Sequence, residues 1–320
     1  MQEPGISVVI PVHKSEQTLP ELCARLLDVL PTLAPEFEIV FVNDGSPDKS
    51  WETIKLLAER HRTVRGICLM RNYGQHNALL CGLRAARYPL IVTLDDDLQH
   101  PPEEIPILLG ELQSSGKDVV YGVPRQEQHG LWRDLASQIT KFALQAAMGA
   151  QIARKVSAFR ILRTEVCQAF LNYQGPYVSI DVLMTWGTNR FGGVLVNHEP
   201  RKVGKTNYTF RKLFVHALNM LTGFSTFPLR IASLIGFFFT FFGIVVFGYV
   251  IGRYLVLGYS VPGFPFLASI IAIFAGAQLF ALGIIGEYLA RMYFRSMERP
   301  SYAVRESVGV RLEEISPLNH

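Results

Sequence analysis

Three consecutive aspartates, Asp95, Asp96 and Asp97, follow the apolar run IVTL at 91–94 and lead into Leu98 and Gln99. Carboxylates at the end of a buried strand are costly unless a cation or a hydrogen-bonding shell holds them. Asp95 and Asp97 can offer oxygens to one hard divalent ion and leave positions open for substrate phosphates. The same residues could instead be a solvated acidic loop capping the helix that follows PPEE at 101–104. A second polar strand end is VFVNDGS at 40–46, where Asp44 could accept from the N–H of a base and Gly45 permits a tight turn. Ser46 there could equally serve only as a helix cap. RNYGQH at 71–76 follows a third apolar run. Each signal is weak alone. Three polar strand ends together point to a site that handles phosphates.

Strands must bring those ends together. Apolar runs at 6–11, 38–42, 64–70 and 90–94 predict four of them, and 18–30 has helical spacing. SPD at 46–48 predicts the next helix start, with a capping Ser, Pro in the first turn and an acid near the positive helix end. Such βαβα order implies an α/β fold, a mostly parallel sheet with helices on both faces. Ligands on these sheets bind beyond the carboxyl ends of the strands. Two further apolar stripes have helical spacing, Trp132–Leu135–Ile139–Phe142–Ala146 and Phe210–Leu213–Phe214–Leu218–Leu221–Phe224. Either suits core packing; the second adjoins an apolar span and reads as an interfacial helix.

Apolar residues are unevenly spread. The chain of 320 residues is 49% hydrophobic, with a mean hydropathy of +0.21. Residues 231–251 and 264–286 contain no Asp, Glu, Lys or Arg. At about 1.5 Å per helical residue each reaches roughly 30 Å, the thickness of a bilayer core. Arg201, Lys202, Lys205, Arg211, Lys212 and Arg230 precede the first run; Arg291, Arg295 and Arg299 follow the second; the loop between them offers Arg253. The positive-inside rule then places both termini in the cytoplasm. The N-terminus runs within a few residues into a strand, so no signal peptide is expected. Cys23, Cys68, Cys81 and Cys167 form no CxxC pair, which suits a reducing compartment. A net charge of +4 is too mild to argue for nucleic acid, and the basic residues beside the spans suit anionic lipid.

The motifs SVVIPV, NDGSPDKS, RNYGQH, TLDDDLQHPPEEIP, the Arg of YGVPR, LWRDLAS, GIIGEYLAR and RPSYAV run in this order from Ser7 to Val304. In that combination the chain resembles the family-two glycosyltransferases of the GT-A fold, and among them the polyprenyl-phosphate glycosyltransferases. The resemblance implies inverting transfer of one sugar from a nucleoside-diphosphate sugar, a UDP-sugar by preference, to a polyprenyl phosphate such as undecaprenyl phosphate. It implies Asp95, Asp97 and Gln99 as ligands of Mg²⁺ or Mn²⁺ and of the diphosphate, with Asp96 between them in the donor site and Asp97 catalytic. Asp44 would meet the base beside Pro11, and Arg125, Arg133 and Arg201 would bind phosphate. A homo-oligomer at the membrane is also implied. The QxxRW motif of processive synthases is absent, which argues for single transfer.

Three departures matter. Many relatives have Tyr-Asn-Glu after the first strand; this chain has His13-Lys14-Ser15, so base recognition must differ. Relatives often place acids just before Phe-Arg-Leu, but 155–160 contains none, which leaves Asp181 as a candidate base or else a structural hydrogen-bond acceptor. A Lys common near the membrane entry is Asn207 here, with Lys205 close by. The expected layout is a cytoplasmic catalytic domain at 1–200 and an interfacial helix at 201–228. A hairpin of spans at 229–257 and 264–287 follows, then a cytoplasmic tail at 288–320 that returns to the catalytic domain. Rival readings are transfer to a lipid hydroxyl, which needs a true base, and a non-catalytic scaffold that binds the lipid carrier.

Overall fold

The computed structural model describes residues 4–125, 155–175, 178–199, 227–258, 263–297 and 300–309. Strands β1 (Ile6–Val12), β2 (Phe37–Asn43), β3 (Val64–Leu69) and β4 (Leu90–Thr93) alternate with helices α1 (Leu19–Val29), α2 (Ser50–Arg60) and α3 (Gln75–Ala85). Helix α4 (Ile105–Ser115), β5 (Val119–Pro124), β6 (Arg160–Arg163), α5 (Ile180–Gly187) and β7 (Phe191–Val196) follow. After them come α6 (Phe227–Leu257), α7 (Phe264–Ser296) and β8 (Val304–Val308).

The strands form one eight-stranded sheet in the order β7-β5-β6-β4-β1-β2-β3-β8. β3, β2, β1 and β4 are parallel, whereas β6 and β8 run against their neighbours. Strands buried on both faces read as continuous β-branched and apolar runs, which is why ISVVIPV shows no polar alternation. Val8 and Ile10 face one core with α1, α2 and α4; Val9 faces the other with α3 and α5. At the far end of the sheet from the polar strand ends, Glu38 pairs with Arg65, and Glu38 also accepts from Ser7 Oγ (2.7 Å) and the Arg87 amide (2.8 Å). That network is buried and structural.

One expectation changes. Helix α2 starts at Ser50, not at Ser46. Ser46 Oγ instead lies 3.2 Å from the Lys14 amide and 3.4 Å from the Val12 carbonyl, tying the exit of β2 to that of β1. Just before the helix, Asp48 Oδ1 accepts from Ser50 Oγ (2.7 Å) and the Ser50 amide (3.2 Å). The edge strand β8 of the sheet comes from beyond residue 300. The apolar stripes at 132–146 and 210–224 lie outside the described residues.

Helices α6 and α7 are both long and apolar enough to cross a membrane, with mean hydropathy of 2.4 over Pro228–Arg253 and 1.6 over Ile273–Tyr293. They form a hairpin in which the Phe239 and Phe274 rings meet at 5.6 Å. Many of their large apolar side chains stand exposed, Phe237 at 71%. Helix α7 continues past the expected end at 287 to Ser296, and Arg291 reaches back one turn to Glu287 at 2.7 Å. All four cysteines are buried and unpaired.

Candidate active site

The site forms where β1, β2, β3 and β4 end together. Beyond β4, Leu98 holds a left-handed backbone (φ +62°) although it is not glycine, a conformation that costs about 1–2 kcal/mol. Its side chain is only 1% exposed, so core burial offsets the strain. The bend turns the Gln99 amide onto Asp97 Oδ1 at 3.1 Å and fixes the Asp97 carboxylate. Asp96 is tied to the loop after β1. Its Oδ2 accepts from Ser15 Oγ (2.5 Å) and the His13 amide (2.9 Å), and its carbonyl accepts from Thr18 Oγ1 (2.7 Å). The middle aspartate thus holds the β1–α1 loop in place. Burial pushes its carboxyl up from the ordinary range, while the Ser15 and His13 bonds pull it back.

Asp44 organises the next strand end. Its two oxygens accept from the amides of Tyr73 (2.7 Å) and Gly74 (2.8 Å) in the β3–α3 loop. Burial raises this carboxyl, and the two amides partly oppose it. Gly45 makes the arrangement possible. It sits at φ +59°, and a Cβ there would lie 2.4 Å from the Arg71 carbonyl carbon. Gly74, at φ +94°, opens helix α3, whose first residue Gln75 donates from Nε2 to Asp95 Oδ1 at 2.6 Å.

The result is a cleft of about 250 Å³ lined by Pro11, Val12, His13, Asp44, Asn72, Gly74, Gln75 and Asp95–Asp97. Among the described lining residues four are carboxylates and none is Lys or Arg. So much negative charge at one mouth calls for a cation. Asp95 and Asp97 flank Asp96 and suit a hard divalent ion. Among the described residues no three His, Cys, Asp or Glu side chains could hold a metal by themselves, so substrate oxygens would complete the shell.

The other expected residues divide. Gln99 is not among the cleft-lining residues, and its backbone carbonyl accepts the Glu199 amide at 2.9 Å. Arg125 stands exposed at the end of β5, its amide bonded to the Val196 carbonyl at 3.2 Å. Asp181 does not line the cleft either. It is buried beside it, paired with Arg160 and accepting from Tyr121 Oη at 3.1 Å, and Arg160 Nε donates to Thr93 Oγ1 at 2.9 Å. Arg133, Arg201 and Lys205 lie outside the described residues.

Glu103 and Glu104 of the PPEE run turn away from the cleft toward the exit of β7. Arg25 bridges Glu103 (2.6 Å) and Glu199 (3.1 Å), while Glu104 accepts from Asn197 Nδ2 at 2.7 Å. The chain leading to Arg201 is thereby stitched to the carboxylate loop. Burial pushes the neighbouring His100 imidazole down to about 4, so it packs uncharged against Phe159 and His198. Sequence reading assigned no role to Gln75, or to Asn72, whose Nδ2 lies 3.2 Å from His13 Nδ1. The signal for both was the RNYGQH run itself.

The sequence profile of Glycosyl transferase family 2 matches residues 7–171, which include the four strand ends and all three aspartates. The chain belongs to this family. The undecaprenyl-phosphate 4-deoxy-4-formamido-L-arabinose transferase of Shewanella sediminis is 36% identical to this glycosyltransferase, over 94% of this chain and 92% of the relative. The transferase of the same name from Pectobacterium carotovorum subsp. carotovorum is 35% identical, over 95% and 94%. Among solved structures, glucosyl-3-phosphoglycerate synthase from Mycobacterium tuberculosis shares the fold. Its complex with Mn²⁺, uridine-diphosphate-glucose and phosphoglyceric acid gives a TM-score of 0.53 at 17% identity, over 68% of this chain and 78% of that one. The GT-A architecture expected from the motifs is therefore present, and the shared length with the transferases includes the apolar hairpin.

Proposed function

We propose that this glycosyltransferase moves one sugar from a UDP-sugar to undecaprenyl phosphate, with its catalytic domain on the cytoplasmic face of the inner membrane. The observation that carries this reading is joint. An acidic cleft at the strand ends and a bare apolar hairpin lie in one chain, and relatives named for undecaprenyl phosphate match across both. Asp44 and its amide partners would seat the uracil, with His13 and Asn72 beside it. The acceptor phosphate oxygen attacks the anomeric carbon as the bond to the diphosphate breaks, inverting that centre. The electron pair leaves with UDP. Mg²⁺ or Mn²⁺ on Asp95 and Asp97 would offset the charge gathering on that leaving group. At pH 7 the acceptor is mostly a dianion, because a phosphate monoester has a second pKa near 6. It needs orientation more than deprotonation, and Arg125, Arg133, Arg201 and Lys205 are the proposed phosphate cations. Within this reading 1–200 is the catalytic domain, 201–228 an interfacial helix, 229–287 the hairpin and 288–320 the returning tail, and the enzyme works as a homo-oligomer.

Incubating the purified enzyme with a panel of UDP-sugars and undecaprenyl phosphate, then weighing the lipids by mass spectrometry, tests it. A single glycosyl adduct on the lipid phosphate is expected. Sugar found on diacylglycerol instead would establish the rival acceptor chemistry.

Gln75 holds Asp95 and should act on the metal through it. Groups that orient metal ligands commonly contribute about 10- to 100-fold to affinity. Gln75→Leu should weaken Mn²⁺ binding in the presence of UDP about tenfold, read by electron paramagnetic resonance. Unchanged Mn²⁺ affinity would remove Gln75 from that role. The orientation has its own test. On a background without native cysteines, Ser260→Cys should react with an impermeant thiol reagent added outside the cell and Ser301→Cys should not. The reverse pattern would overturn the topology and with it the cytosolic donor supply.

A further inference from the structure

β8 meets β3 where β3 hands the chain to the cleft. Cys68 pairs with Glu306 and Leu69 with Val304, which leaves Arg305 as an extra residue, a β-bulge on the edge strand. Bulges redirect side chains, and this one sends the Arg305 guanidinium back to the Met70 carbonyl at 2.9 Å. The Met70 amide in turn donates to the Ala303 carbonyl at 2.9 Å. Both backbone groups of Met70 are thus tied to the tail, one residue before the loop 71–74. The helix that follows the loop is gripped too, near its C-terminal end. Tyr302 is buried against α3, with Arg84 of α3 over its ring at 5.4 Å, and Ser301 Oγ reaches the Gly175 carbonyl at 3.4 Å. Between the two grips lie Asn72, Gly74 and Gln75, which line the cleft, and the Tyr73 and Gly74 amides that Asp44 holds.

We propose that Arg305, Ala303 and Tyr302 are positioning residues for the donor cleft, so that the segment leaving the second apolar helix sets the 71–75 loop in its nucleotide-binding shape. The inference rests on the donor-cleft reading given above. Edge pairing alone would not require it, since β8 is also attached further along through Glu306, which accepts from Trp51 Nε1 at 3.2 Å and faces Lys55. That second attachment is remote from the loop and supplies a control within the same strand.

The full-length enzyme in detergent or nanodiscs is compared as wild type, Arg305→Ala, Arg305→Lys, Tyr302→Phe and Glu306→Gln. Hydrogen exchange of the 71–77 peptide without ligand reads the loop directly, and calorimetry with UDP and Mg²⁺ reads the site. In Arg305→Ala the loop amides should exchange several-fold faster, and the UDP Kd should rise about five- to tenfold, the scale of one charge-assisted hydrogen bond. Arg305→Lys should recover part of both, and Glu306→Gln should change neither. Tyr302→Phe keeps the ring under Arg84 but loses the hydroxyl bonded to Arg84 and Cys81, so loop exchange should rise by less than in Arg305→Ala, and exchange unchanged there would remove Tyr302 from the role. Exchange unchanged in Arg305→Ala would overturn the proposal, and so would faster exchange with an unchanged UDP Kd. A wild-type enzyme that binds neither UDP nor GDP is a separate failure: it takes down the donor-cleft reading, and this inference with it.

Discussion

Asp97→Ala is expected to fold like the wild type and to lose sugar transfer by about 10²-fold or more, the usual effect of removing one preorganised electrostatic element. The carboxylate is only 8% exposed and sits among Asp95, Asp96 and Asp44 at the mouth of one cleft. Removing it relieves like-charge repulsion, so the fold should tolerate the change. What it sacrifices locally is the acceptor for the Gln99 amide, which holds the strained Leu98 bend. Asp97→Asn separates the two effects, because its side-chain oxygen can keep that bond while the charge is gone. Both variants should retain a wild-type unfolding midpoint and bind Mn²⁺ poorly in the presence of UDP. Turnover within a few-fold of wild type in either variant, or wild-type activity undiminished by EDTA, would show that the aspartates do not work through a metal.

The arrangement behind that result was partly legible in the sequence. Continuous β-branched runs gave β1, β2, β3 and β4, and the polar residues after them marked which edge of the sheet carries the site. The destination of each side chain was not legible, because it depends on which loops the sheet order brings together. Asp96 reads as the centre of an acidic triplet, yet it binds the β1 loop 81 residues earlier in the chain through Ser15. Ser15 places a donor, not a second acid, against that carboxylate. Asp44 reads as a base acceptor, yet its oxygens already order the loop beside it. The edge strand VRESV was invisible for another reason. Edge strands tolerate charge on both faces, so β8 lacks the hydrophobic pattern that identifies a buried strand. Helix α2 was misplaced because Ser46 and Asp48 both offer capping oxygens, and tertiary bonds to Lys14 and Val12 claimed the first of them.

Asp181→Asn should cost the enzyme its stability before it costs the reaction. Asp181 and Arg160 form an ion pair with 9% and 2% side-chain exposure, joined to Tyr121 and Thr93. Removing one partner of such a pair strands the other charge in a medium that cannot solvate it, typically at about 3–5 kcal/mol. Asn keeps an acceptor for Tyr121 but leaves the Arg160 charge uncompensated, so a loss on that scale should appear in urea or thermal unfolding. Asp181 is buried and is not among the residues that line the cleft. In the proposed reaction the acceptor phosphate would act as its own nucleophile, without a carboxylate base. The rate per folded molecule should rise with pH through about 6, the second pKa of a phosphate monoester, and then level off. In Asp181→Asn that profile should keep its midpoint and lose at most a modest part of its amplitude once the folded fraction is measured. A true general base predicts the opposite pair of results, wild-type stability with activity down about 10²- to 10⁴-fold at every pH. An Asp181→Asn enzyme with that signature, still binding UDP and undecaprenyl phosphate, would sink the base-free mechanism and return Asp181 to the reaction.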